Sequence, residues 1–448
     1  MADVLEGSRS PSLSAWAPEE ADFWRMTGSR VAWPTLIVTT FALLLAFATW
    51  FMVSAIVLKL PGIGFKLDQA QLFWLAAMPG LAGGTLRIVH TFLIPLLGTR
   101  ATVAGATLLL VVPCAGWAWA VQRPETPYGV LLVLAALAGL GGGNFSSFMP
   151  STSLFFPKRL LGTALGVQAG VGNFGVSVAQ FVIPWVIGLS ILGTMSGPSQ
   201  TFTKGGHATQ IHLQNAALVW IPFILLAAVA AWVKLRSVPV RATLREQADI
   251  FRNKHTWLMT SLYIMTFGTF SGFAATFGAL ITQVFGRFPD APDPLRFVFL
   301  GALVGASTRV IFGPLSDRFG GGAVTMLSGV GLTVSAVVAA RFTQPASAAE
   351  FTSFLWTMLS IFAFAGIGNA YTFKQMPMVF PPRQASGVIG WTSAVAAYGP
   401  FVFGAILGTL AKGGMPPTVF FQGVAVFCAA NTLINWWFYT RPGAEAPC

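Results

Sequence analysis

Acidic residues are scarce in this chain, and they avoid its apolar stretches. Only 14 of the 448 residues are Asp or Glu, and every one falls in a tail, a break between apolar runs or the end of such a run. Charged residues of both signs amount to 9 % of the chain and hydrophobic residues to 55 %. A soluble domain carries about 25 % charged residues, so a water-soluble globule is excluded. Cysteine is nearly absent: Cys114 and Cys428 lie in apolar runs and Cys448 is the last residue. Neither a disulfide framework nor a cysteine metal site can be built from these. No His/Cys/Asp/Glu spacing suits a metal, no glycine loop suits a nucleotide, and no nucleophile stands beside a base. The usual signs of an enzyme or of a cofactor are therefore missing.

What the chain has instead is long apolar runs. Twelve occur, at 31–57, 70–97, 101–120, 128–156, 160–192, 213–233, 257–284, 296–315, 322–340, 351–380, 384–410 and 417–438. Each is long enough to cross a bilayer, the longer ones with tilt. The runs are continuous rather than alternating, which predicts helices and not barrel strands. The polar start "MADVLEGSRSPSLSAWAPEEADFWRMTGSR" does not resemble a cleaved signal. Its "EEADFWRM" segment is expected as a short interfacial helix ahead of the first span.

The net charge of +12 is topological. With both termini inside, fifteen Lys/Arg fall on the cytoplasmic side and eight outside, in keeping with the positive-inside rule. Nucleic-acid binding is a poor account of such a distribution. The three remaining cations lie within spans: Arg87, Arg309 and Lys374.

The longest charged interval, "KLRSVPVRATLREQADIFRNKH" at 234–255, splits the runs into six and six. "FPKRLLGTALGVQAGVGNFG" at 156–175 aligns without gaps on "FPPRQASGVIGWTSAVAAYG" at 380–399, matching Phe156/Phe380, Pro157/Pro381, Arg159/Arg383, Gly166/Gly390 and Gly175/Gly399. Arg309 follows Arg87 by 222 residues, so the second and eighth spans repeat as well. The expected organisation is a cytoplasmic tail (1–30), a six-helix bundle (31–233), a cytoplasmic linker (234–256), a second bundle (257–438) and a C-terminal tail (439–448). The fold class is thus an all-α membrane protein of twelve transmembrane helices in two pseudo-symmetric six-helix bundles. Parallel six-helix repeats resemble the major facilitator plan, whose site lies at mid-membrane between the halves. "GPLSDRFGG" at 313–321 resembles that superfamily's cytoplasmic loop, where Asp317 and Arg318 would have a structural or gating role; after the second span the pattern has decayed to "GTRATV".

A charge at the centre of a spanning helix costs about 2.5–3.5 kcal/mol on insertion scales. Arg87 and Arg309 come from equivalent helices and should face one another across the central cavity. No carboxylate lies at their depth, which leaves main-chain carbonyls or a transported anion as partners. A guanidinium matches a planar oxyanion through two parallel hydrogen bonds. The glycines of "GLGGGNFSSF" (139–148) and "GTALGVQAGVGNFG" (162–175) fit close helix packing. They would also let a backbone approach an anion, and Asn173 would offer amide donors.

The stretches "LFWLAAMPGLAGGTLRI", "GGGNFSSFMPSTSLFFPKRLLGTALGVQAGVGNFGVSVAQ" and "NKHTWLMTSLYIMTFGTFSGF", with the arginine upstream of "LSDRFGG", resemble nitrate/nitrite porters in the same order and over all twelve helices. The resemblance implies that Arg87 and Arg309 grip the anion, that Phe145 and Phe267 sandwich it, and that Tyr263, one turn before Phe267, donates its hydroxyl. Asn173 matches the asparagine closing the first glycine signature, which includes Gly170 and Gly172. The second signature has Ala394 and Ala396 at the corresponding places.

Two further groups are open. Lys374 lines the cavity or snorkels to the cytoplasmic surface. His90, three residues after Arg87, is a packing group or a proton carrier. The expected function is nitrate and nitrite transport by alternating access in a bacterial inner membrane, as nitrate/nitrite exchange by a monomer. Nitrate–proton symport is the alternative, and an anion channel or a nitrate sensor is more remote.

Overall fold

The computed structural model describes residue 13 and residues 16–91, 93–190, 197–204, 206–238 and 248–448, with the side chains of residues 95, 204, 248, 313–319, 382, 383 and 386 outside the description. Twelve helices are long and apolar enough to span a bilayer. The first six are α1 (Ala21–Ile56), α2 (Gln69–His90), α3 (Leu96–Ala120), α4 (Tyr128–Ser153), α5 (Lys158–Val186) and α6 (Asn215–Lys234). The second six are α7 (Lys254–Phe285), α8 (Pro294–Phe312), α9 (Gly321–Arg341), α10 (Ala348–Val379), α11 (Gly387–Lys412) and α12 (Thr418–Thr440). The α8 helix itself runs on over Val298–Phe319.

The segment expected as a separate interfacial helix is instead the first turn of α1. Ala21–Phe23 passes through a π segment, Trp24–Gly28, straight into Ser29–Ile56. No proline or turn sequence lies between them to break the helix. A second difference is a two-stranded hairpin between α5 and α6, β1 (Gln200–Lys204) and β2 (His207–Ile211). It pairs antiparallel from Gln200↔Ile211 to Lys204↔His207. Its turn ends on Gly206 at φ 80°, a geometry that glycine supplies cheaply in hairpins.

The internal repeat is visible in the backbone. The chain reverses between α2 and α3 at Gly98, with φ 74° and ψ 168°, and between α8 and α9 at Gly320, with φ 75° and ψ 152°. These glycines are 222 residues apart, as are Arg87 and Arg309. Each arginine therefore precedes its turn by eleven residues, about 16 Å at 1.5 Å per residue. That is roughly half of a 30 Å hydrocarbon core.

Small residues press the two halves together. A Cβ at Gly80 of α2 would lie 2.7 Å from Pro400 Cβ, one at Gly84 2.7 Å from the Tyr398 ring, and one at Gly404 of α11 2.6 Å from Ala77 Cβ. Such a seam replaces the hydrophobic drive that lipid removes. At the end away from both termini, polar ties join the halves. Lys59 Nζ meets Asp293 Oδ2 at 3.3 Å, Gln69 Nε2 donates to the Ala279 carbonyl at 3.0 Å, and Gln180 Nε2 donates to the Ala274 carbonyl at 2.8 Å.

Candidate functional site

Arg87 is fully buried, and Arg309 is 6 % exposed. Neither takes part in any ion pair among the described residues. Arg87 Nε donates to the Gly142 carbonyl of α4 at 2.9 Å, and Nη1 donates to the Ser393 carbonyl of α11 at 2.6 Å. Among the described residues its Nη2 is buried with no partner, and so is Nη1 of Arg309. Helix carbonyls thus take a hydrogen from two of the three Arg87 nitrogens, and the third nitrogen has no partner among the described residues. Arg309 and Tyr263 lie within electrostatic reach of Arg87.

The glycines of α4 explain how a carbonyl reaches Arg87. A Cβ at Gly142 would lie 2.7 Å from the Trp50 ring and 2.9 Å from Gly83 Cα, and one at Gly143 would lie 2.8 Å from Leu86 Cβ. With hydrogen at these positions, α4 sinks against α1 and α2 until its backbone meets the guanidinium. Aromatic rings form the remaining walls. The Arg87 Cζ lies 4.6 Å from the Phe145 ring centre, 5.3 Å from Phe267 and 5.5 Å from Trp50. These are distances at which a ring face attracts a cation. Arg309 Cζ lies 5.7 Å from the Phe373 ring.

Tyr263 and Phe267 stack at 5.5 Å with an interplanar angle of 10°. Phe267 belongs to a π segment, Ile264–Gly268, which starts directly after Tyr263. A π turn shifts the side-chain register by about one residue and recurs at functional sites. Phe373 also reaches Tyr263, with ring centres 5.7 Å apart. The structure thus brings Arg87, Arg309, Phe145, Phe267 and Tyr263 to one place between the halves. Asn173 is 1 % exposed, and neither its Oδ1 nor its Nδ2 has a partner.

The remaining expected residues are placed as follows. Gly170 borders α8, where a Cβ would lie 2.7 Å from Val310 Cγ2, next to Arg309 in sequence. Gly172 packs against α1, where a Cβ would lie 2.7 Å from Leu43 Cδ2. His90 is 6 % exposed, and its Nδ1 pairs with Ser147 Oγ at 2.9 Å. That bond ties the ring to α4. Lys374 is half-buried on α10. The side chains of Asp317 and Arg318 lie outside the described residues.

Four site residues escaped the sequence reading: Trp50, Phe373, Asn369 and Ser393. Ser393 is 1 % exposed, its carbonyl holds Arg87, and its Oγ is buried without a partner. It stands beside Ala394 and matches Ala169 of the first repeat, so α11 reaches Arg87 through a main-chain carbonyl. Asn369 is 1 % exposed with its Oδ1 unpartnered. The arrangement offers planar donors and ring faces to a small flat anion, with no carboxylate to compete.

Comparison with known proteins agrees with this chemistry. A sequence model of the Major Facilitator Superfamily matches residues 36–373. The chain is 58 % identical to a probable nitrate/nitrite antiporter NarK2 of Thermus thermophilus, over 99 % of this chain and 100 % of that protein. It is 32 % identical to the nitrate/nitrite transporter NarU of Escherichia coli strain K12, over 96 % of each chain. Among solved structures, a bacterial homologue of the human lysosomal transporter Spinster, in an inward-facing and occupied conformation, superposes with a TM-score of 0.61. That match covers 89 % of this chain and 93 % of the other at 14 % identity, and it speaks for the fold alone. With its two six-helix repeats, its paired buried arginines and relatives matched from end to end, the chain belongs to the nitrate/nitrite porter family of the major facilitator superfamily.

Proposed function

We propose that the protein exchanges nitrate and nitrite across the membrane by alternating access, with the anion held between Arg87 and Arg309. The observation that carries this reading is the pair of buried guanidinium groups, each keeping an unpartnered N–H and neither paired with a carboxylate among the described residues. The relatives named as a nitrate/nitrite antiporter and a nitrate/nitrite transporter support the choice of anion. Two like charges in a low-dielectric cavity repel strongly. An anion between them lowers that repulsion, so occlusion is easier loaded than unloaded, and loaded-only reorientation is exchange. Phe145 and Phe267 select a flat ion, and Tyr263 and Asn173 add donors. The protein works as a transporter rather than an enzyme, as a monomer in a bacterial inner membrane. The Lys/Arg bias supports cytoplasmic placement of both termini.

Counterflow in proteoliposomes tests this. Nitrate uptake is measured with internal nitrite present or absent, and with or without a pH gradient. Exchange predicts uptake that requires internal nitrite or nitrate and ignores the gradient. Uptake driven by an inward proton gradient with no internal anion would make nitrate–proton symport the function instead.

A further inference from the structure

Arg87 and Arg309 are equivalent in the repeat but not in their support. Two carbonyls fix the Arg87 guanidinium. Arg309 Nη1 is buried with no acceptor among the described residues. A guanidinium that must present N–H groups to an anion in one orientation needs something to hold it.

The helix equivalent to α4 in the second half is α10. "GGGN" at 141–144, which holds Gly142, recurs as "GIGN" at 366–369, and Phe148 recurs as Phe373. In α4 the asparagine, Asn144, turns its Nδ2 toward the Ala106 carbonyl of α3 at 3.5 Å. In α10 the asparagine is Asn369, 1 % exposed, and its Oδ1 has no donor.

The surroundings place Asn369 at the level of Arg309. A Cβ at Gly366 would collide with the Gly305 carbonyl and the Thr308 hydroxyl of α8. Thr308 precedes Arg309 and donates to the Ala363 carbonyl of α10 at 3.2 Å. A Cβ at Gly368 would meet Ser328 of α9 and lie 2.5 Å from Thr266 of α7, the neighbour of Phe267. Asn369 precedes by one turn Phe373, whose ring faces both Arg309 and Tyr263. Residues four apart share a helix face. Asn369 and Arg309 thus stand on two helices packed against each other, with the Phe373 ring one turn from Asn369 and facing Arg309; one carries a buried acceptor without a donor, the other a buried donor without an acceptor, among the described residues. Nitrate and nitrite carry only acceptors, so the anion itself cannot satisfy the Asn369 oxygen.

We infer that Asn369 is the positioning residue of Arg309: its Oδ1 accepts from the guanidinium and turns the other N–H groups toward the anion. The inference rests on the reading of this site as an anion site. It adds that the second half holds its arginine with a side-chain amide where the first half uses a carbonyl.

Two measurements on the full-length protein test it. In proteoliposome exchange, Asn369→Ala should raise the nitrate KM about tenfold, the scale of a hydrogen bond to a charged group, with the maximal rate kept. An unchanged KM would overturn the inference. The second is a thermal-stability cycle that needs no anion. Asn369→Asp should keep the melting temperature in the parent protein, where Arg309 neutralises the new carboxylate, and lower it sharply in an Arg309→Gln background, where the charge is buried unpaired. An equal effect in both backgrounds would overturn the inference. Parent protein that gains no thermal stability from added nitrate, while the cycle still shows coupling, would instead sink the anion-site reading and leave the Asn369–Arg309 contact standing.

Discussion

Arg87 of α2 donates through Nη1 to the Ser393 carbonyl of α11 at 2.6 Å, so one guanidinium bonds to both halves of the protein at once, the other bond being to Gly142. A group that opens and closes with the two halves must make and break this contact. Arg87 is therefore a tie between the halves as well as an anion ligand in the proposed function, whereas among the described residues no bond of Arg309 across the halves is seen.

The first prediction follows from this asymmetry. Arg87→Lys and Arg309→Lys each keep the charge and lose the planar fork, and each should weaken nitrate binding about tenfold or more. Arg87→Lys should in addition lower folding stability by about 1–3 kcal/mol, through buried carbonyls left unpaired. Titration calorimetry and thermal unfolding of the two variants check the pair. Wild-type transport by either lysine variant would remove the two-arginine clamp.

The rings make a claim about shape. Phe145→Ala and Phe267→Ala should each lower discrimination between planar nitrate and chloride or chlorate, measured as competition in exchange assays. Either truncation also opens a cavity and costs about 3–5 kcal/mol of stability, so folding is verified before selectivity is compared. Selectivity unchanged in both variants would return the rings to a packing role.

His90 separates exchange from symport. Its Nδ1 bond to Ser147 can be kept by an amide. His90→Gln should leave nitrate/nitrite exchange within about twofold of the parent, the scale of a few tenths of a kcal/mol, and remove any uptake driven by a proton gradient. An exchange rate that collapses, with nitrate binding intact, would show that His90 serves the site itself.

The Lys59–Asp293 pair is partly shielded, with side-chain exposures of 12 % and 38 %, and Lys59 also lies 4.5 Å from the Phe202 ring of the hairpin. Asp293→Asn should favour opening at that end by about 1 kcal/mol or less. Labelling of a cysteine introduced just beneath the pair, followed with and without salt, checks it. Equal labelling in parent and variant would make the pair an incidental surface contact.

A last prediction concerns acid. The Glu445 carboxylate is held below the ordinary carboxylate range, first by its hydrogen bond from Lys254 and then by the Lys254 and His255 charges. Lys254 Nζ lies 2.7 Å away and His255 Nε2 3.4 Å. A depressed carboxylate stabilises docking above its unperturbed pKa, about 4.3, and that contribution is lost as pH falls through the lower folded value. Hydrogen exchange in residues 441–448 should therefore remain slow through mild acid and rise only below the ordinary carboxylate range. A rise that begins well above that range would show that Glu445 does not hold the tail.

Much of this architecture was legible in the chain. The twelve spans follow from runs that no soluble fold would tolerate, and the six-plus-six division follows from the 156–175/380–399 match. The arginine pair stood out because cations at mid-span are costly and the acids are all elsewhere. The hairpin at 200–211 was missed because its strands are short and polar, and the first turn of α1 was misread because a break was assumed where no breaker exists. Ser393 and Asn369 were passed over because a single polar residue in an apolar run looks like packing until its neighbours are known.

The sequence by itself determined the solvent, the span count, the repeat and the charge of the site, because each depends on composition and spacing along one chain. Only the tertiary structure decided which donors remain available. The Gly142 and Ser393 carbonyls occupy two Arg87 nitrogens, while Arg309 Nη1 and Asn369 Oδ1 are left without partners among the described residues. Hydrogen-bond pairing acts over about 3 Å between helices hundreds of residues apart in the chain, and no pattern along the chain encodes such a distance.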